Sequence, residues 1–242
     1  MKYDFKGLTF PLCAVLMAAL FSVGCQSVYY KTMEKVGYQK HEILVDRVAA
    51  ARDGQQEAKE QFQSTLERFN EVVNIDSGVD RGVDTGVDGR VLEKKYDVLN
   101  AEYKKCEKKA NNVRKRIDAV EDVGEALFKE WEVELNQYSS ANLRNASRQK
   151  MDQTRREYDQ LIQAMHRAQR HIEPVLSAFR DQVLFLKHNL NASAIASLKN
   201  ELVTVETDVA SLIKETEAAI AEADGFIKTI AESNAVDSER LF

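Results

Sequence analysis

The sequence predicts an all-α protein, specifically an elongated antiparallel four-helix coiled-coil bundle. Three observations favour this fold class. The 242 residues include only two prolines and ten glycines, so few positions interrupt a helix. Charged residues make up 30 % and hydrophobic residues 44 %, a mixture typical of exposed helices with one apolar stripe. Apolar residues also recur every three or four positions along four long runs, which is the seam pattern of a coiled coil.

The first 25 residues predict export and lipidation. Lys2 and Lys6 give a positively charged start, and residues 8–23 form an apolar run that is shorter than a membrane-spanning helix. Small residues then precede Cys25, which resembles the lipobox of bacterial lipoproteins, although Ser22 stands where that motif usually has leucine. We therefore expect residues 1–24 to be a lipoprotein signal peptide. The alternatives are an ordinary secretory leader or an uncut anchor, with Cys25 incidental.

After cleavage, residues 25–30 would form a lipidated N-terminus and a short tether. Several acyl chains on Cys25 would anchor the protein stably, since each buried methylene adds about 0.8 kcal/mol to membrane affinity. Gln26 follows the cysteine where an aspartate would retain a lipoprotein at the inner membrane. The resemblance to lipoproteins therefore implies the outer membrane, with the protein facing the periplasm in the cell envelope.

Residues 31–234 are predicted to form the helical bundle, and residues 235–242 a C-terminal tail. The first run is the roughest, because Gln55 places a polar layer in its seam. The third run has a stripe wider than a two-stranded coil requires, which favours a bundle. The predicted seam residues are, in the first run, Leu44, Val48, Ala51, Ala58, Phe62, Leu66, Phe69 and Val73; in the second, Tyr96, Leu99, Tyr103, Cys106, Ala110, Val113, Ile117, Val120, Gly124, Leu127, Trp131 and Tyr138; in the third, Met151, Tyr158, Leu161, Met165, Ala168, Ile172, Val175, Phe179 and Leu186; in the fourth, Ile195, Leu198, Leu202, Val205, Val209, Leu212, Thr216, Ala219, Ala223, Phe226 and Ile230.

The breaks between the runs are a Gly- and Asp-rich loop at 75–90 and two short turns at 139–142 and 189–193. Short turns predict antiparallel neighbours, and helices of about 45 residues would each be about 65–70 Å long. We therefore expect a rod, with Cys25, the 139–142 turn and the C-terminus at one end. Pro174 lies inside the third run, where we expect a kink because the heptad continues through it. The alternative is a break near Glu173.

Three stretches resemble a family of uncharacterised bacterial lipoproteins, DUF2959. They are residues 37–45 (GYQKHEILV), 116–123 (RIDAVEDV) and, above all, 179–191 (FRDQVLFLKHNLN). The resemblance implies a helical envelope protein and supplies no activity or site residues. The chain departs from the family at residues 78–89, where a four-residue unit that begins Gly-Val-Asp occurs three times in tandem. This looks like a local duplication. We expect a flexible tip there; the alternative is a cation site, although the spacing does not match an EF-hand.

The sequence does not contain a convincing catalytic constellation, and we expect a protein that is not an enzyme and needs no metal or cofactor. His166 and His171 are five residues apart and so do not share a helix face as an i, i+4 metal pair would. The seam position of Cys106 favours a buried, inert thiol. The alternative is a reactive thiol whose pKa is lowered by the lysines around it.

The sharpest surface feature is a basic belt at residues 104–116, where seven cationic residues surround a single acid, Glu107. A belt of this kind could bind anionic lipid headgroups, cell-wall polymers or an acidic protein. The alternative is a solvated face neutralised by Glu215 and Glu217 of the fourth helix. The candidate anion-binding residues are Lys104, Lys105, Lys108, Lys109, Arg114, Lys115 and Arg116.

We therefore expect a non-enzymatic, lipid-anchored coiled-coil protein that acts as a spacer, scaffold or adaptor in the cell envelope. The membrane would be contacted through the N-terminal lipid, together with a protein partner or a second copy of the chain. The alternative is a helical bundle that binds anionic ligands or membrane surfaces through the basic belt. A net charge of −5 argues against nucleic acid as a partner.

Overall fold

The structure, a computed structural model, describes residues 40–74, 89–189 and 192–239. All regular secondary structure in these residues is helical, and the chain is an antiparallel four-helix bundle, as predicted. The helices are α1 (Lys40–Asn74), α2 (Gly89–Leu135), α3 (Ala141–His188) and α4 (Ala192–Glu239). The chain divides into two compact units, Met1–Ile43 and Leu44–Phe242. Of the first unit only the residues from Lys40 onward are described, and the bundle below is that of the second.

Polar pairs between α1 and α4 define an antiparallel register. Arg52 contacts Asp224 at 2.8 Å, and Lys59 contacts Glu217 at 3.3 Å. Seven residues forward on α1 therefore correspond to seven residues backward on α4, which is one heptad on each helix. Asn70 donates to Glu206 at 3.2 Å and continues the same register.

The α2–α3 pair shows the same arrangement. His166 lies 2.8 Å from Glu121, and Arg155 lies 2.9 Å from Glu132, so α3 runs antiparallel to α2. Across the centre of the bundle, the ring of Phe179 on α3 stacks on Phe69 of α1, with ring centroids 4.8 Å apart. Helices α1 and α3 are therefore diagonal neighbours, and each packs beside both α2 and α4.

The core follows the predicted seams closely. In α4, every predicted seam residue from Leu198 to Ile230 is buried, and in α1 only Leu66 is left half-buried. The prediction for α2 was wrong at its end. Because α2 ends at Leu135, Tyr138 lies in the following turn and is exposed. The predicted α2 seam was also too narrow, since Val123 and Phe128 are buried beside it.

The structure gives the boundaries of the helices and the effect of Pro174, which can be compared with the predicted ones. Ser140 caps the N-terminus of α3, because its hydroxyl accepts a hydrogen bond from the Leu143 N–H at 3.4 Å. The helix runs without a break through Pro174, which excludes the alternative of two helices. Helix α2 begins at Gly89, inside the loop predicted for 75–90, and α4 continues past residue 234 to Glu239.

The predictions about the N-terminal segment and the loop fall outside the described residues. These are the signal peptide at 1–24, the lipidation of Cys25, the tether, and the repeat at 78–89 except for Gly89. Within the described helices, none is both long enough and apolar enough to cross a membrane.

Candidate functional site

The basic belt is largely engaged in contacts with neighbouring acids and carbonyls. Its paired members and their partners are Lys105 with Glu102 at 2.8 Å, Lys109 with Glu57 at 2.7 Å, Arg114 with Glu173 at 2.7 Å, and Arg116 with the carbonyl oxygen of Ala50 at 2.5 Å. The hydrogen bond and the charge of Lys109 lower the pKa of Glu57. Burial pushes the pKa of Glu102 upward, but hydrogen bonds from Lys105 and Gln61 outweigh it and the pKa is lowered. Three of the seven predicted anion-binding cations, Lys109, Arg114 and Arg116, therefore join α2 to α1 or α3, whereas Lys105 pairs within α2.

The remaining members of the belt are Lys104, Lys108 and Lys115. All three are exposed, and none forms an ion pair with a described residue. They are spaced by four and seven residues, so they lie along one face of α2. The part of the belt that is available to an anion is therefore this stripe of three lysines.

The acids expected to neutralise the belt pair elsewhere, so that part of the prediction was wrong. Glu217 contacts Lys59 of α1, and Glu215 contacts Arg167 of α3 at 3.6 Å. The physical reason is lateral order, because α4 lies beside α1 and α3 and diagonal to α2. The belt is instead neutralised by acids of α1, α2 and α3.

Cys106 is buried in the α1–α2 interface, as its seam position predicts. Its thiol is 0 % exposed and lies 3.1 Å from the hydroxyl of Thr65, which is also fully buried. Burial raises the pKa of Cys106 to about 12, and the nearby lysine has only a minor opposing effect. The thiol is therefore protonated at neutral pH and behaves as a small apolar side chain.

The described histidines differ in their surroundings. His166 bridges Glu121 and Gln169, with distances of 2.8 and 3.1 Å from its two ring nitrogens. His188, at the end of α3, is exposed. Within residues 40–74, 89–189 and 192–239, no three His, Cys, Asp or Glu side chains are grouped as metal ligands would be.

The predicted polar layer at Gln55 lies where all four helices meet. Its side chain is 1 % exposed, and neither its amide nitrogen nor its amide oxygen has a hydrogen-bond partner among the described residues. Its neighbours include Val113, Ala168 and Leu212, one from each of the other helices, around a void of about 10 Å³. A void of this size is at the lower limit for a single water molecule.

A second buried amide, Gln182 of α3, lines a much larger space. The side chain is 4 % exposed and both of its amide atoms lack partners among the described residues. It lines an open groove of about 610 Å³ between α3 and α4. The other lining residues are Ala178, Asp181 and Phe185 from α3, and Ser197, Leu198, Glu201, Thr204 and Val205 from α4.

Our reading of the sequence missed this groove, although a signal for it exists. Gln182 continues the seven-residue series of Leu161, Ala168 and Val175, and is therefore a polar residue at a seam position. Such a residue usually lowers stability, and in return it can set the register or bind a partner. The size of the space around it depends on side chains of α4 and cannot be read from α3 alone.

Comparison with known proteins gives a family and no activity. Residues 29–230 match the family described as a protein of unknown function, DUF2959. No curated protein matches the chain. Because the matched residues make up most of the 242-residue chain, the protein belongs to the DUF2959 family.

Proposed function

We propose that this protein is a lipid-anchored helical bundle of the bacterial cell envelope that acts as a scaffold or adaptor and not as an enzyme. The observation that carries the proposal is the continuous seam along all four helices, reinforced by polar pairs in one register. Charged side chains that could do chemistry are used to hold helices together, as Lys109 with Glu57 and Arg114 with Glu173 illustrate. The one described thiol is buried and protonated.

The direction of the helices supports a distinct membrane end. Because α1 runs antiparallel to α2, the N-terminal part of α1 and the α2–α3 turn lie toward the same end of the bundle. Cys25 precedes α1 by fifteen residues in the sequence, and we propose that its lipid anchors this end of the bundle. Three apolar side chains around the turn are exposed, namely Val133 at 58 %, Tyr138 at 38 % and Leu143 at 59 %. Aromatic and aliphatic side chains of this kind are favoured at the headgroup level of a bilayer.

Metabolic labelling tests the anchor. Cells that express the full chain are grown with radiolabelled palmitate, and the protein is captured and counted. We expect label in the wild type and none in Cys25→Ser, whereas the matched control Cys13→Ser, in the predicted leader, keeps the label. Outer-membrane fractions should contain the labelled protein. A wild-type chain without label would contradict the proposal, and label only in inner-membrane fractions would contradict the outer-membrane location.

A second candidate function is the binding of anionic surfaces through Lys104, Lys108 and Lys115. The observation that favours it is that these three exposed lysines lie on one face without an ion pair to a described residue. Each could contribute up to about 1 kcal/mol near an anionic surface at low salt, which falls off within a Debye length.

Vesicle sedimentation at low salt separates this second candidate from the first. Changing all three lysines to glutamine should reduce co-sedimentation of the full chain with anionic vesicles. The matched control changes Lys199, Lys214 and Lys228, three exposed lysines of α4, to glutamine and should have little effect. Equal loss in the two triple variants would mean that net charge alone drives sedimentation, and the second candidate would be wrong.

A further inference from the structure

We infer that the groove around Gln182 binds a basic peptide segment, in which a lysine or arginine side chain lies between Asp181 and Glu201. This inference deepens the proposed adaptor role by naming the chemistry of its partner. Binding at the groove does not require lipidation, so the two proposals can fail separately.

Gln182 lines the groove and has a carboxamide that is unpaired among the described residues. A carboxamide that is 96 % buried normally has hydrogen bonds, because leaving such a group unpaired lowers stability. Gln182 has none among the described residues, and it lines a space of about 610 Å³ that is open to solvent on one side. A carboxamide donates and accepts, which is the same pattern that a peptide group presents. Each of the two amide atoms exposes less than 1 Å² to solvent, so a peptide backbone would bond to them only after the Gln182 side chain turns toward the groove.

The walls of the groove select a side chain that is apolar along its stem and cationic at its tip. Phe185, Leu198 and Val205 offer apolar surface, and Phe185 is 39 % exposed. Asp181 on α3 and Glu201 on α4 are exposed carboxylates on opposite walls. Lysine and arginine place their methylene stems on apolar surface while the charge reaches a polar rim.

The carboxylates of Asp181 and Glu201 have no close ion pair with a described residue and are available to a cationic side chain. Asp181 has only a long contact with Arg180, at 3.6 Å, and its side chain is 71 % exposed. Glu201 forms no ion pair with a described residue. The volume of the groove lies within the range of about 300–1,000 Å³ that is typical of ligand pockets, and suits one long side chain with a few backbone atoms.

The test is fluorescence anisotropy with two labelled peptides titrated with the full chain in detergent. The first is the acetylated tetrapeptide Leu-Lys-Leu-Lys with a C-terminal amide, and the second carries glutamate in place of lysine. We expect saturable binding of the lysine peptide and none of the glutamate peptide. No saturable binding of the lysine peptide up to about 1 mM protein, or equal binding of both peptides, would overturn the inference.

Substitutions at the two carboxylates test whether the peptide binds in the groove. Asp181→Asn with Glu201→Gln should weaken binding about tenfold or more, since two charge pairs are lost. The matched control Glu222→Gln with Glu232→Gln removes the same charge from exposed positions of α4 outside the groove, and should bind like the wild type. An equal effect of the two pairs would mean non-specific attraction and would contradict the groove.

A third variant separates ligand binding from a purely structural role. Gln182→Leu should raise the melting temperature and at the same time weaken peptide binding about tenfold. Gln55→Leu should raise the melting temperature without any effect on binding, which controls for stability. If Gln182→Leu binds as tightly as the wild type, the amide has no role in recognition. If the wild type self-associates and Gln182→Leu abolishes this, the occupant is a second copy of the chain and the peptide assignment is wrong.

Discussion

Gln55 and Gln182 occupy the same kind of position in two different regions of the bundle. Both are seam residues, both are almost fully buried, and neither amide has a partner among the described residues. Gln55 lies in the middle of the bundle beside a void of about 10 Å³, whereas Gln182 lines a groove of about 610 Å³. A polar seam residue can therefore lie either in a closed core or beside an open groove, and the packing of the surrounding helices decides which.

The two regions also differ at the surface. In the middle, ion pairs such as Arg52 with Asp224 and Lys59 with Glu217 join α1 to α4. Near the groove the described surface carries exposed apolar side chains instead, namely Leu184, Phe185 and Val203. Exposed apolar side chains therefore occur on both helices that line the groove.

The largest expected effect concerns Phe179, which stacks between the two regions. Its ring lies against Phe62 and Phe69 of α1, and its side chain is 0 % exposed. Phe179→Ala should lower the free energy of unfolding by about 3–5 kcal/mol in urea titrations. The control Phe185→Ala, at the exposed groove wall, should cost less than about 1 kcal/mol. Similar losses in the two variants would mean that the aromatic stack is not the core of the bundle.

Gly124 and Gly225 differ in the space available for an added side chain. A Cβ added at Gly124 of α2 would overlap the ring of Tyr158, whereas one added at Gly225 of α4 would meet no atom within 4 Å. Gly124→Ala should therefore cost about 1–3 kcal/mol of stability because the ring must move. Gly225→Ala should add about 0.5–1 kcal/mol through helix propensity. Thermal unfolding that shows the same sign for both variants would contradict the packing of α2 on α3.

The two glutamines themselves should respond differently in stability. Gln55→Leu should raise the free energy of unfolding by about 1–2 kcal/mol, because an unpaired amide is removed from a closed core. The gain from Gln182→Leu should be smaller, since the groove is open to solvent. Urea titrations of both variants measure the difference. A destabilised Gln55→Leu would show that this amide has a partner in solution, and the contrast between the two regions would be lost.

A pH-dependent effect is expected at Cys106, a buried seam residue whose thiol has a partner in Thr65. Burial raises the pKa of the folded thiol to about 12 from an ordinary value of 9.0. Its contribution to stability is therefore complete below about pH 9 and is lost as the pH rises toward 12. The stability difference between the wild type and Cys106→Ala should shrink over that interval. A difference that grows with pH would contradict the burial of the thiol.

The seams could be predicted from the sequence because burial along a long helix repeats every three or four residues. This periodicity predicted the core of α4 and the buried positions of Cys106 and Gln55. The lateral order of the helices could not be predicted, because heptads show which face is buried and not which helix covers it. Glu215 and Glu217 were for that reason assigned to the wrong neighbour. The groove depends on both α3 and α4 side chains, and so escaped the sequence for the same reason.

The antiparallel register of α1 and α4 is central to the bundle, and chemical crosslinking tests it most directly. Cysteines at Lys59 and Glu217 should be joined within one chain by a short bismaleimide, since these positions face each other. Cysteines at Lys59 and Glu206 should not be joined, because eleven residues move the second site about 16 Å along α4. Single-cysteine variants control for reaction at Cys25 and Cys106. Efficient crosslinking of the first pair alone is the expected result, and equal crosslinking of both pairs would contradict the bundle.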